Sequence, residues 1–119
     1  VFEGVLITDT FVLGWHREGN RLIFAVEASL WPGHPSYEPP RSGEWACYKP
    51  GRLVFDDVEA VEGLPDMQSA HRYSDADGGQ DFGSLNELVA EPGGYRIEGD
   101  FGVVRVRAAS VRLEVSDRT

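Results

Sequence analysis

"YRIEGDFGVVRVRAASVRLEV", residues 95–115, decides the fold class. Tyr95, Ile97, Val104, Val106, Val111, Leu113 and Val115 recur at every second position within their runs. Arg96, Glu98, Arg105, Arg107, Arg112 and Glu114 take the positions between them. A period of two places these sets on opposite faces of strands. "DFG" separates the first run from the second, and "AAS" the second from the third. The segment therefore predicts three short antiparallel strands with an apolar inner face. Arg–Glu pairs are expected across the outer face, at about a few tenths of a kcal/mol each. The apolar phase slips between Phe101, Val103 and Val104, which predicts a bulge beside Gly102.

The N-terminal third repeats the pattern. Val5, Ile7, Phe11, Leu13 and Trp15 follow one phase that only Asp9 breaks. They predict a long, half-buried strand. "HREGNR" supplies a Gly-Asn turn, and "RLIFAVEASLW" returns with Leu22, Phe24, Val26, Ala28 and Leu30 on one face. Ile23 and Ala25 imply that the other face is partly covered as well. "RLVFDDV", residues 52–58, resumes strand character. Asp9 is expected at a bulge, or paired with an Arg or with the neighbouring Thr hydroxyls, because a buried carboxylate needs partners. The alternative is a carboxylate facing a ligand inside a half-open sheet.

"SLNELVAEPGG", residues 84–94, is ambiguous. Ser84 with Glu87 fits a capping box, and Leu85, Leu88 and Val89 have helical spacing. A short strand is the rival. The fold expected is mainly β: an antiparallel sandwich, or a strongly curved and partly closed sheet. About seven or eight strands are expected, with at most one short helix at Ser84–Glu91. Residues 1–119 form a single domain at this length.

Between the strands lies "LWPGHPSYEPPRSGEWACYKPG", residues 30–51. It holds five of the seven prolines, two of the three tryptophans and the single cysteine, Cys47. Proline restricts the loop and lowers the entropic cost of holding Trp31, Tyr37 and Trp45 in place. Such aromatics either cap a β core or anchor a partner. Both readings stay open on sequence. Residues 56–81 hold eight acids, among them Asp56, Asp57, Glu59 and Glu62, opposed only by Arg72. This stretch reads as the most solvated of the chain.

The net charge of −9 sets a penalty against nucleic-acid and membrane-surface roles and favours a basic protein partner. One cysteine excludes a disulfide scaffold. The N-terminal stretch lacks the basic region of a signal peptide, and no apolar run is long enough to span a membrane, so the cytoplasm is the expected location. The sequence has no initiator Met.

Chemistry has few carriers. His16, His34, Cys47 and His71 lie outside zinc-ligand spacing. "DADGGQD", residues 75–81, has acids at calcium-loop positions 1, 3 and 7, but Gln80 and Asn86 stand where an EF-hand needs Gly and Glu. No serine has a nucleophile-elbow context, and no phosphate cradle is present. No catalytic residue, metal or cofactor is expected, and the chain reads as a non-enzymatic binding module.

The order of an N-terminal hairpin, "RLVFDDV" and the "YRIEGDFGVVRVRAASVRLEV" block resembles small β-rich bacterial immunity proteins of polymorphic toxin systems. That resemblance implies a cytoplasmic inhibitor that binds a toxin domain. In this reading the acids Asp56, Asp57, Glu59 and Glu62 steer a basic partner, and Trp31, Tyr37 and Trp45 anchor it. The alternative is a small-ligand cup lined by Phe11, Trp15 and Phe24.

Overall fold

The computed structural model describes residues 2–74 and 79–116. Among the described residues a 3-10 turn, Ile7–Asp9, precedes ten strands. They are β1 (Phe11–Glu18), β2 (Arg21–Leu30), β3 (Cys47–Asp56), β4 (Ala60–Glu62), β5 (Tyr73–Ser74), β6 (Gln80–Asp81), β7 (Leu85–Glu91), β8 (Gly94–Gly99), β9 (Gly102–Arg107) and β10 (Ser110–Val115). Every pairing is antiparallel. One sheet has the order β1-β2-β3-β10, a second β4-β9-β8-β7, and β5-β6 form a small ribbon. Neither main sheet closes on itself. The count exceeds the seven or eight expected because β4, β5 and β6 are only two or three residues long.

The two main sheets share one core. Leu22, Phe24, Val26, Leu53 and Phe55 from the first meet Leu85, Leu88, Ile97, Val104 and Val106 from the second. Phe55 packs on Tyr95 at 5.8 Å between ring centroids. Phe101, in the turn between β8 and β9, inserts against Trp15 at 5.4 Å and Phe24 at 5.8 Å. Gly99 makes room for it: a Cβ there would come within 2.7 Å of the Phe101 ring. The apolar slip at Phe101 is thus a turn residue folded inward. The β8–β9 register is regular, so the bulge expected beside Gly102 is not there.

Two bulges occur elsewhere, and both reset the apolar phase. In β1 the register shifts between Val12 and Gly14, so Val12 and Trp15, three residues apart, both face the core. Leu13 is left exposed. The expected inward strand from Val5 is also interrupted: Ile7–Asp9 coil into the 3-10 turn, and regular pairing begins at Phe11. In β7 the register shifts between Leu85 and Glu87, which places Leu85 and Leu88 on one face. That three-residue spacing mimics a helix, but residues 85–91 are a strand. Pro92–Gly93 then form the hairpin turn, with Gly93 at φ 81°, the positive dihedral that a Pro-Gly turn requires.

The outer face of the first sheet explains why Ile23 and Val54 are apolar. They sit on opposing rungs and are almost fully buried, yet they stand outside the shared core. Asp56 pairs with Arg21 at 3.1 Å and with Arg112 at 2.9 Å, and Arg52 with Glu114 at 2.8 Å. The stems of these arginines can shield the two apolar side chains while their heads stay wet. On the second sheet Arg96 lies 3.1 Å from Glu87 and 3.5 Å from Glu98, and Arg105 lies 3.4 Å from Glu91.

Strand β3 begins at Cys47, so it takes in the last part of the Pro-rich segment. Pro50 is tolerated there because β10 ends beside it. Ser116 N–H donates to the Pro50 carbonyl at 2.8 Å, and the missing proline donor falls past the last rung.

Candidate functional site

Strands β2 and β3 are neighbours, with Leu30 opposite Cys47. The loop between them therefore starts and ends at one place, and Trp31 and Trp45 meet there. Their rings stand edge to face at 6.4 Å and 70°. Trp45 continues the stack onto Tyr48 at 6.3 Å, and Tyr48 reaches Phe11 at 6.2 Å. Trp45 is 67% exposed and Trp31 40%, among the most exposed large apolar side chains described. Leu6 is exposed beside them, and Gly4, Val5, Leu6 and Trp31 line a shallow apolar depression.

A polar network fixes this surface from beneath. Asp9, half-buried at the end of the 3-10 turn, accepts a hydrogen bond from Tyr48 Oη at 2.6 Å and one from Ser29 Oγ at 2.9 Å. Trp31 Nε1 donates to Ser29 Oγ at 3.2 Å. Ser29 and Tyr48 face each other across the β2–β3 ladder, so one carboxylate ties three strand-end side chains together. Burial, then the hydrogen bond to Asp9, pushes the Tyr48 hydroxyl well above the ordinary tyrosine value, so it stays a donor. Asp9 is paired, but not with an Arg or the neighbouring Thr hydroxyls: Thr10 Oγ1 donates to the Leu6 carbonyl, and the partners of Asp9 are the more distant hydroxyls of Ser29 and Tyr48.

The rest of the loop works as a lid. Tyr37 packs partly buried against the core. Glu38 reaches Lys49 at 2.8 Å. Lys49 is opposite Ala28 on the core side of the sheet, and its side chain is only 5% exposed. The hydrogen bond from Lys49, reinforced by its charge, holds the Glu38 carboxyl below the ordinary carboxylate range. Capping and display are thus divided within one loop: Tyr37 packs inward, the exposed Glu38 reaches over Lys49, and Trp31 and Trp45 face outward.

The acidic residues lie elsewhere. Asp56 ends β3 at the far end of the ladder from Cys47. The Leu22–Phe55 and Leu30–Cys47 rungs are eight residues apart, roughly 27 Å at about 3.4 Å per residue. Asp56 is held by Arg21 and Arg112. Asp57 is in the left-handed region at φ 54° and accepts a bond from Asn20 Nδ2 at 3.2 Å. Glu59 follows in the link to β4, and Glu62 ends β4 opposite Arg105. The structure gathers Trp31 and Trp45, turns Tyr37 inward, and places Asp56 and Asp57 at the opposite end of the β2–β3 ladder, with Glu59 and Glu62 following along the path into the second sheet.

The three aromatics of the cup alternative do not share a face. Trp15 and Phe24 lie in the core, Trp15 packed on Phe82 at 4.7 Å. Phe11, on the other side of the β1 bulge, turns to Tyr48. His16 contacts Glu18, His34 Nδ1 accepts the Ser36 amide, His71 stacks on Tyr73, and Cys47 is buried. Among the described residues no group of three or more His, Cys, Asp or Glu could hold a metal. Asp75 and Asp77 of the calcium-like stretch lie outside the described residues. No helix among the described residues is long and apolar enough to cross a membrane.

No protein-family model, curated protein or solved structure matches this chain.

Proposed function

We propose that the chain is a non-enzymatic protein-binding module that blocks a basic partner of the toxin-domain class, with the Trp31–Trp45 end as its contact face. The observation that carries this reading is the pair of exposed tryptophans on a base pinned by Asp9. Large aromatic groups on a rigid base supply binding area at low entropic cost, and Trp and Tyr are favoured anchors. The open faces of these rings also attract Lys and Arg side chains. The net charge of −9 adds a long-range pull on a basic partner. The far acids are too distant to share the tryptophans' contacts, so in this reading they act through the field.

The test is to read the gene neighbouring this one and, where it encodes a toxin domain, to co-express that domain with this chain. The wild-type chain is expected to restore growth, and the double variant Trp31→Ala/Trp45→Ala to lose that protection while still folding. Full protection by the folded double variant would sink the reading.

A further inference from the structure

The edge of the first sheet at β10 has a property that neither the aromatic face nor the charge argument uses. Among the described residues β10 pairs with β3 alone. Ser116 donates to Pro50, so the even-numbered residues of β10 direct their amides and carbonyls towards β3. The amides and carbonyls of Val111, Leu113 and Val115 therefore point to the open edge. No backbone hydrogen bond from these three amides is found outside the β3 ladder among the described residues. Their side chains are half-buried on the inner face. Such an edge templates further strand pairing.

We infer that β10 docks antiparallel on β10 of a second copy of this chain, about a two-fold axis through Leu113. Three features agree on that register. First, it pairs residues 111 with 115, 113 with 113 and 115 with 111, and these are the residues whose backbone groups face the edge. Second, it puts Val111 beside Val115 and Leu113 beside Leu113 on the inner face, extending the apolar layer across the junction. Third, it sets Arg112 opposite Glu114 of the second copy, twice, on the outer face. Charged residues on an edge ordinarily discourage pairing. Here the strand reads Arg112 then Glu114, and a two-fold axis reverses that order, so each charge meets its opposite. A shift of two residues in either direction destroys at least one of these matches. The first sheet becomes continuous through both copies, and the two aromatic faces remain free.

Sedimentation equilibrium of the full chain, over a concentration series into the millimolar range, tests this. The wild-type chain is expected to dimerise. Arg112→Glu, which opposes Glu to Glu at both symmetric rungs, is expected to weaken the dimer about tenfold. Adding Glu114→Arg is expected to restore it. Because these variants also disturb the pairs with Asp56 and Arg52, and the contact between Arg112 and Glu114 within each copy, thermal unfolding is followed in parallel. A second variant avoids that dependence: Arg112→Cys/Glu114→Cys in a Cys47→Ala background. The 112–114 rung is a non-hydrogen-bonded pair with Cα atoms about 4.5 Å apart, within disulfide reach. Mild oxidation is expected to give a covalent dimer. A wild-type chain that stays monomeric, a dimer indifferent to Arg112→Glu, or a cysteine variant that oxidises without cross-linking would each overturn the inference.

Discussion

Tyr48 donates its hydroxyl to Asp9 at 2.6 Å, and this bond joins the strand that ends the Pro-rich loop to the turn that precedes β1. It also sets the floor under Trp45, whose ring leans on Tyr48. A hydrogen bond to a charged acceptor contributes about 1.5–3 kcal/mol. Tyr48→Phe keeps the ring and removes the bond. It is expected to lower stability by about 1.5 kcal/mol in urea unfolding at neutral pH. The sign with pH follows from the raised hydroxyl value. The contribution is full below the ordinary tyrosine value of 10.0 and fades as pH rises towards the folded-state value. The gap between wild type and Tyr48→Phe should therefore narrow in strong alkali. A variant as stable as wild type at neutral pH would show that the bond contributes nothing.

Binding kinetics should separate the two ends of the molecule. Trp45→Ala and Trp31→Ala are expected mainly to speed dissociation, by about 2 kcal/mol each if both are anchors. Neutralising Asp57, Glu59 and Glu62 together is expected to slow association and flatten its salt dependence, leaving dissociation unchanged. The acids lie farther from the tryptophans than the screening length of about 8 Å at physiological salt, so their effect on association should be strongest at low salt, where that length grows to about 30 Å. Stopped-flow or surface-based kinetics at several salt concentrations reads both effects.

The Glu38–Lys49 pair predicts acid lability of the loop. The Glu38 carboxyl titrates below its ordinary value of 4.5, chiefly because Lys49 hydrogen-bonds its charged form. A carboxylate with a depressed folded value contributes stability that is present above the unfolded value and lost as pH falls through the folded one. Melting temperature should fall on acidification, and Glu38→Gln should remove part of that dependence. Asp56, depressed mainly by its hydrogen bond from Arg112, adds to the same slope. Paired melting curves of wild type and Glu38→Gln across the acid range check it. Parallel curves would mean that the latch does not hold the loop.

Phe101 is the most vulnerable turn residue. Its ring fills the space between Trp15 and Phe24, so Phe101→Ala should leave a cavity where the sheets meet. The expected loss is about 2–3 kcal/mol in chemical denaturation, below the range of a fully buried Phe because Phe101 is only partly buried. A surface turn residue would lose less than about 0.5 kcal/mol, so the measurement distinguishes the two sharply.

These positions also show what was legible in the sequence. Alternation in residues 21–30, 94–99, 102–107 and 110–115 points directly to strands, because a sheet with one buried face imposes that period. Besides the 3-10 turn at Ile7–Asp9 and the inward Phe101, the misread segments are those where a bulge changes the spacing. Val12 and Trp15, like Leu85 and Leu88, face the core at a separation of three. A bulge inserts one residue, so the local repeat becomes that of a helix turn, and periodicity alone cannot separate them. The partition of strands between sheets was also hidden. β9 and β10 are adjacent in sequence and similar in pattern, yet they enter different sheets. At the site, exposed tryptophans were readable as a class. The hydroxyl network was not, because Asp9, Ser29 and Tyr48 converge only through the β2–β3 register.

Lys49 is the only lysine in the chain, and its ammonium lies under the loop. The closed fold thus offers amine-directed chemistry no accessible ε-amino group. Acylating reagents, or an enzyme that acetylates or ubiquitinates lysine, would reach it only when the loop swings aside. The rate of acylation at this one site then becomes a clock for loop opening, readable from the mass of the peptide that carries Lys49 and free of background from other side-chain amines.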